Sequence, residues 1–214
     1  VSPNDGGDYC ECEGCRKLWE PERDEKSVGT RLVFTFVNEI ARRVAKTDPG
    51  KSVGIMSYSY YREPVPGLAV ESNVVLYLVG CRSTLADPEA MKADQARILA
   101  WKAAGVRRFG IYEWHHGHWF QVPVLYPHAL AESTKFAARN GADGWYSEDY
   151  PSWGFQGPAH WVAARLLWDV NQEVDTLLDQ YCRDLFGPAA ATMRTYWRRC
   201  DEQWQKHSVG GGMA

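Results

Sequence analysis

Short apolar runs alternate with longer amphipathic stretches along most of the chain. Residues 31–47 repeat apolar side chains at helical spacing and end at Asp48-Pro49-Gly50, where Pro and Gly interrupt a helix. The run NVVLYLV at 73–79 is β-branched and almost continuously apolar, as in a strand buried on both faces. The full pattern predicts strands at 52–58, 73–79, 107–113 and 142–147, with helices at 31–47, 88–104 and 127–140.

Strands that alternate with helices across short connections indicate parallel βαβ units. Such units close either as an open doubly wound sheet or as a (β/α)₈ barrel. No G-x-G-x-x-G or P-loop follows a predicted strand, so the residues do not support a nucleotide site in a doubly wound sheet. A complete barrel needs about eight strands and about 250 residues. We therefore predict an α/β fold that is the later part of a (β/α)₈ TIM-type barrel, followed by C-terminal helices.

The prediction divides the chain into three parts. Residues 1–157 form the second half of the barrel, with a further strand ending at Val1. Residues 158–206 form a helical segment packed on the barrel, with helices at 158–168, 172–185 and 188–206. Residues 207–214 form a flexible, glycine-rich tail. The N-terminal part of the barrel is expected upstream.

Charge and composition narrow the range of partners. The net charge is −3 with mixed signs, so neither a nucleic acid nor a membrane surface is expected as a partner. No apolar run approaches the roughly 20 residues of a membrane-spanning helix. The chain has 10 Trp and 11 Tyr, and aromatic rings with a polar edge suit ligands such as sugars.

Polar and aromatic residues cluster where the predicted strands end. These clusters are Tyr58, Tyr60 and Tyr61; Glu113, Trp114, His115 and His116; and Glu148, Asp149 and Trp153. Asn4 and Asp5 stand where a strand entering at Val1 would end. Catalytic groups of barrel enzymes lie at these strand ends, although any one carboxylate could instead cap a helix or pair with an arginine.

Three of the six cysteines form a C-x-C-x-x-C cluster, Cys10, Cys12 and Cys15. Three thiolates could bind a structural zinc ion, but the second cysteine pair of a strong zinc motif does not follow. The alternatives are a disulfide, within the loop or to a distant cysteine, and reduced cysteines that serve packing. The sequence therefore predicts no cofactor and leaves these cysteines as weak metal candidates.

Several segments resemble a known family: SPNDGGDYCECEGC, VFTFVNEIARRVAK, PGKSVGIMSYSYYREP, GIYEWHHG, GWYSEDYPSWG and AARLLWDVNQEVDTLLDQYCRDLFGPAAATMRTYW. They resemble the bacterial domain-of-unknown-function family 4838, which overlaps glycoside hydrolase family 163, characterised as endo-β-N-acetylglucosaminidases. The resemblance runs from Val1 to about Trp204 and covers the later part of the family's barrel domain. It implies a secreted or periplasmic protein with a glycan substrate.

The resemblance implies cleavage of glycans that contain N-acetylglucosamine. Glycosidases commonly use two carboxyl groups, whereas a substrate-assisted hexosaminidase uses the 2-acetamido oxygen as nucleophile and one carboxylic acid. Asp5 is the preferred general acid/base, with Asn4 orienting the acetamido group. Glu113, whose pKa an apolar Trp114 would raise, and Glu148 are the rival carboxylates.

The remaining strand-end residues are predicted to bind the sugar through stacking and hydrogen bonds: Tyr58, Tyr60, Trp114, His115, His116, Tyr146, Asp149 and Trp153. The spacing of His115, His116 and His118 is not a strong metal-ligand pattern. A different class of function stays open, namely a catalytically incomplete carbohydrate-binding barrel fragment.

Overall fold

A computed structural model describes residues 1–3, 6, 9–19, 29–115, 123–149 and 153–207. Within that part, four strands form one parallel sheet in the order β1-β2-β3-β4. The strands are β1 (Val53–Ser57), β2 (Val74–Gly80), β3 (Arg108–His115) and β4 (Ala142–Asp149). The helices are α1 (Glu13–Trp19), α2 (Thr30–Thr47), α3 (Pro88–Ala103), α4 (Pro127–Arg139), α5 (Trp153–Trp168), α6 (Val174–Phe186) and α7 (Ala190–His207). The α/β fold with alternating elements is confirmed.

One face of the sheet carries the main apolar core. Leu76, Ile111 and neighbouring strand residues are buried there against α2 and α3, where the rings of Phe34 and Trp101 lie 4.8 Å apart between centroids. The Trp101 indole also donates a 3.0 Å hydrogen bond to the carbonyl of Arg62. This bond satisfies the polar atom of a fully buried aromatic side chain and fixes the connection between β1 and β2.

The opposite face carries Tyr77, whose ring lies across the glycines of the two following strands. A Cβ atom on Gly110 would lie 2.8 Å from the Gly144 carbonyl oxygen and 2.8 Å from Cε1 of Tyr77. A Cβ atom on Gly144 would lie 3.0 Å from the Tyr77 hydroxyl. The pairing of β3 with β4 is irregular between Phe109 and Gly110. Glycine is required here because the backbones of β3 and β4 and the tyrosine ring occupy the space of a side chain.

The C-terminal helices pack on α4 and on each other through three smaller apolar clusters. The half-exposed His128 of α4 lies 2.6 Å from the buried carboxylate of Asp201 on α7, measured from Nδ1 to Oδ2. The Trp204 indole donates a 2.9 Å hydrogen bond to the carbonyl of Ser83, in the turn after β2. Helix α7 is therefore tied both to α4 and to the strand-end side of the sheet. No helix within the described ranges is long and apolar enough to cross a membrane.

Two helices differ clearly from the sequence prediction. Helix α1 follows the first two cysteines, where no helix was predicted. The Lys17–Glu13 ion pair lies along it at i,i+4 spacing, and Arg16 pairs with Glu11 just before it. Helix α5 begins at Trp153 and includes Pro158, which was predicted to start it. A proline there deprives the carbonyl of Gly154 of its helical partner, but Gly154 is exposed and water can reach it. The predicted domain boundary at 157/158 therefore falls inside a helix.

The predicted clusters at two strand ends belong to the strands themselves. Strand β3 continues through Glu113 to His115, and β4 continues through Glu148 to Asp149, because the two strands stay paired to these residues. Residues 1–3 form no strand, although the Val1 nitrogen donates a 2.7 Å hydrogen bond to the Gly54 carbonyl and so lies beside β1. The predicted tail, apart from His207, lies outside the described residues.

Substituting Gly110 with alanine should destabilise the fold by about 1–3 kcal/mol, the usual cost of forcing atoms into a packed site. Gly54→Ala is the matched control, because Gly54 also lies in a strand but a Cβ atom there has no neighbour within 4 Å. Urea unfolding followed by circular dichroism measures both variants. Equal unfolding midpoints for the two would contradict the packing described for Tyr77.

The His128–Asp201 pair predicts a pH-dependent stability. The hydrogen bond to Asp201 raises the folded-state pKa of His128 above its ordinary value, with Asp175 adding negative charge 3.5 Å away. The stabilisation is thus complete below about pH 6.5, the usual histidine pKa in an unfolded chain, and is lost as the pH rises through the raised pKa. We expect about 0.5–1 kcal/mol, since solvent screens a half-exposed imidazole.

Unfolding free energies at a series of pH values, for the wild type and His128→Gln, measure this contribution. The two should differ most at low pH and converge above the folded pKa. Parallel curves across the whole pH range would show that the imidazolium does not stabilise the fold.

Candidate active site

Alternation along β3 and β4 divides their strand-end side chains between the two faces of the sheet. Tyr112 pairs with Tyr146 and Trp114 with Glu148 across the two strands. Successive residues of a strand point to opposite faces, so these four side chains share the face that carries Tyr77, away from the main core. The carboxylate of Glu148 therefore lies among aromatic side chains at the carboxyl edge of the sheet.

Tyr112 and Glu148 form the central contact of this group. The Tyr112 hydroxyl donates a hydrogen bond to Oε1 of Glu148, and the ring of Tyr112 stacks at a tilt on Tyr146, with centroids 4.7 Å apart. Burial, followed by the hydrogen bond and negative charge of Glu148, raises the pKa of Tyr112 far above its ordinary value. Tyr112 therefore remains a neutral donor that orients the Glu148 carboxylate at physiological pH.

Aromatic side chains border this carboxylate on the side of β1. Tyr58 directly follows β1, and its ring meets Trp114 edge to face at 5.7 Å between centroids. Tyr60 is half-buried in the turn after Tyr58, beside Tyr9, whose pKa is raised to about 12 by burial and then by Tyr60. Tyr61 is 3% exposed and belongs to the main core. Tyr58, Tyr60, Trp114 and Tyr146 thus lie along the carboxyl edge of the sheet.

Glu113 lies on the opposite face from Glu148. Its alternation matches that of Phe109 and Ile111, and it is completely buried. Its negative charge, after burial itself, raises the pKa of the neighbouring Cys81 thiol. The sequence grouped Glu113 with Trp114 because they are adjacent, but adjacent strand residues point apart. The structure therefore does not bring Glu113 and Glu148 together.

The remaining predicted site residues fall into two groups. Asn4, Asp5 and His116 lie outside the described residues. The backbones of His115 and Asp149 pair with each other at the ends of β3 and β4, and Trp153 begins α5. His115 and Asp149 therefore lie at the same edge of the sheet as Glu148.

Tyr112 is the site residue that the sequence analysis missed. It occurs within the predicted strand, two positions before Trp114, so period-two alternation would have placed it on the same face. The alternation of Tyr112 with Trp114 was therefore the signal in the sequence that could have identified Tyr112 as a site residue. Tyr77 was likewise read only as part of an apolar strand.

A second concave surface lies on the other side of β4. This groove of about 750 Å³ is lined by Trp145, Ser147 and apolar residues of α5 and α6, among them Leu167 and Phe186. None of the described residues that line it is a carboxylate. Its chemistry therefore differs from that of the strand-end site, and it lies on the face away from Tyr146 and Glu148.

The described residues contain one group of three or more potential metal ligands, formed by Cys10, Cys12 and Cys15. Their Sγ atoms all lie within 4.8 Å of one another. A backbone hydrogen bond from Cys15, then hydrogen bonds from the thiols of Cys10 and Cys15, lower the pKa of Cys12. These residues are the candidates for holding a metal.

These features define an α/β protein whose polar and aromatic site is built at the carboxyl edge of a parallel sheet. The chain belongs to the family described as a domain of unknown function (DUF4838), whose model matches residues 1–198. No curated protein and no solved structure matches the sequence significantly.

Removing the charge of Glu148 should lower the pKa of Tyr112. Glu148→Gln keeps a similar size but removes the negative charge that favours the neutral phenol, whereas burial still holds the pKa above its ordinary value. Titration of the Tyr112 ring by NMR measures the shift, with Glu132→Gln on the exposed face of α4 as the control. If the pKa of Tyr112 is the same in the wild type and in Glu148→Gln, the described contact between Tyr112 and Glu148 is contradicted.

Proposed function

We propose that this domain is the later part of a (β/α)₈ TIM-type barrel that hydrolyses glycans containing N-acetylglucosamine, as the resemblance to glycoside hydrolase family 163 implies. The observation that carries the proposal is the Glu148 carboxylate, which accepts a hydrogen bond from Tyr112 and lies among aromatic rings at the carboxyl edge. Carboxylates at strand ends are the usual catalytic and binding groups of barrel enzymes. The same resemblance supports export from the cell.

The strand order and the two faces of the sheet favour a barrel over a doubly wound fold. Its strands follow the chain order without the reversal that creates a nucleotide crevice in doubly wound sheets. The main core covers one face with α2 and α3, while the other face carries large, partly exposed tyrosines. In a barrel, that second face would point inward and be covered by the side chains of the remaining strands.

The proposed reaction uses the substrate's own acetamido group. Its carbonyl oxygen attacks the anomeric carbon, while a carboxylic acid donates a proton to the leaving glycosidic oxygen and the glycosidic bond breaks. A water molecule then attacks the anomeric carbon and gives a proton to the same carboxylate. This attack breaks the bond between the anomeric carbon and the acetamido oxygen. The configuration is retained because two displacements occur at one carbon.

Asp5 is the proposed general acid/base, with Asn4 as the hydrogen-bond partner of the acetamido group. Glu148 has a different proposed role, because its carboxylate already accepts a hydrogen bond from Tyr112. An acceptor held in this way suits a sugar hydroxyl or the acetamido N–H. The exposed Tyr146 ring, 52% accessible, offers a stacking surface beside it. Tyr112 acts as a positioning residue.

Asp5→Asn should reduce hydrolysis about 10²–10⁴-fold, the usual contribution of general acid–base catalysis, and leave glycan binding largely intact. The assay uses the longest natural chain that contains residues 1–214, a chitobiose-containing N-glycan as substrate and mass spectrometry of the products. Asp143→Asn is the control, since Asp143 is an exposed carboxylate near the start of β4. Activity within about twofold of the wild type would move the acid role to another carboxylate, with Glu148 as the first choice.

The second candidate function is sugar binding without catalysis, which the exposed Tyr146 ring favours because stacking needs no acid. In that case the wild type binds the glycan and does not cleave it, and Tyr146→Ala weakens binding. Absence of both binding and hydrolysis would overturn the glycan proposal altogether.

A further inference from the structure

The local fold turns three thiols toward one point. Residues 10–12 precede α1, and the Arg16 amide donates a 2.9 Å hydrogen bond to the Cys12 carbonyl, which begins the helix. Cys12 and Cys15 are three positions apart and so lie on the same side of this first turn. Their sulfurs and that of Cys10 all lie within 4.8 Å of one another.

The residue between Cys10 and Cys12 is held away from the sulfur atoms. Arg16 donates a 2.8 Å hydrogen bond from Nε to the Glu11 carbonyl and a 3.1 Å bond from Nη2 to its carboxylate. Glu11 is therefore engaged with an arginine rather than aimed at the thiols. Lys17 is likewise paired with Glu13 at 2.7 Å. The charged side chains between residues 11 and 17 thus pair with one another rather than with the three thiols.

Packing does not explain this cluster. Free cysteines are usually buried and behave as small apolar residues, as Cys182 does in the core of the C-terminal helices. Cys10 and Cys12 are exposed, however, and Cys15 is only partly covered. Three thiols clustered at the surface gain little from burial, so their convergence indicates another purpose.

A single disulfide would not explain why three thiols converge. A disulfide joins two sulfurs about 2.05 Å apart and would leave the third thiol unused at the surface. Thiolates around a tetrahedral zinc ion, with Zn–S bonds of about 2.3 Å, lie about 3.8 Å from one another. Mutual distances within 4.8 Å therefore fit coordination of one ion by all three sulfurs.

We infer that Cys10, Cys12 and Cys15 bind one Zn²⁺ ion through their thiolates. The described residues supply three corners of the tetrahedron, and a water molecule or another ligand takes the fourth. Zinc is the expected metal because soft thiolate donors in tetrahedral geometry select it over Mg²⁺ or Ca²⁺.

The position of the cluster suggests a structural role next to the strand-end site. Tyr9, the residue before Cys10, packs against the main core and against Gly29, where a Cβ atom would overlap the Tyr9 hydroxyl. The Gly29 amide donates a 2.8 Å hydrogen bond to the carbonyl of Tyr60, just after β1. Bound zinc would thus fix the conformation of residues 10–15 next to Tyr9. Through Gly29, Tyr9 lies close to Tyr60, a proposed sugar-binding residue.

Zinc titration of the reduced, chelator-stripped chain tests the inference. We expect about one ion bound per chain, a rise in melting temperature on binding, and thiolate-to-metal charge-transfer absorption when Co²⁺ replaces Zn²⁺. Cys12→Ser should weaken zinc binding by more than about 10–100-fold, the usual loss when only an outer-shell partner of a metal ligand is changed. Cys200→Ser, which removes a half-buried thiol from α7, should not change zinc binding.

A second measurement remains informative if the serine variant does not fold. Alkylation of the wild type, mapped by mass spectrometry, should be slowed by Zn²⁺ at Cys10, Cys12 and Cys15 and unchanged at Cys200. Failure to bind stoichiometric zinc, absence of this selective protection, or a disulfide mapped within the cluster after purification under reducing conditions would each overturn the inference. None of these readouts depends on glycan hydrolysis, so the zinc inference and the proposed function can fail separately.

Discussion

The alternation of side chains along β3 is the constraint on which the rest of the site depends. Hydrogen bonding to β2 and β4 fixes the strand through its last residues, so neighbouring positions must point to opposite faces. Ile111 and Glu113 are committed to the buried, helix-facing side, while Tyr112 is committed to the other side. A shift of one residue would exchange these faces and remove both the core and the Tyr112–Glu148 contact.

The two faces impose different requirements on the sequence. The helix-facing side needs apolar volume to fill the space against α2 and α3, which Phe34, Trp101 and the aliphatic strand residues provide. The other face accommodates a tyrosine ring across two glycines, which allows β3 and β4 to pair closely beneath it. The main apolar core is therefore concentrated on one face, and the Tyr112–Glu148 pair lies on the other.

Side-chain hydrogen bonds to backbone groups anchor loops at both ends of the sheet. Asn38 of α2 donates a 2.7 Å bond to the Ala69 carbonyl and accepts a 3.0 Å bond from the Glu71 amide. Such bonds hold irregular segments in place because buried backbone groups are costly to leave unsatisfied. Trp204 on α7 does the same for the turn at Ser83. The C-terminal helices thus support the strand-end side of the sheet from a distance in sequence.

The sequence by itself determined the order and type of most elements, because apolar periodicity and Gly/Pro breaks are local properties; α2 occurs where the stripe at 31–47 predicted it. It also predicted that polar and aromatic residues gather at strand ends. Only the tertiary structure decided that β3 and β4 extend through those clusters, since that depends on pairing between distant strands. Pairing in turn separated Glu113 from Glu148 and joined Glu148 to Tyr112, contacts that arise only when residues 36 positions apart meet in space.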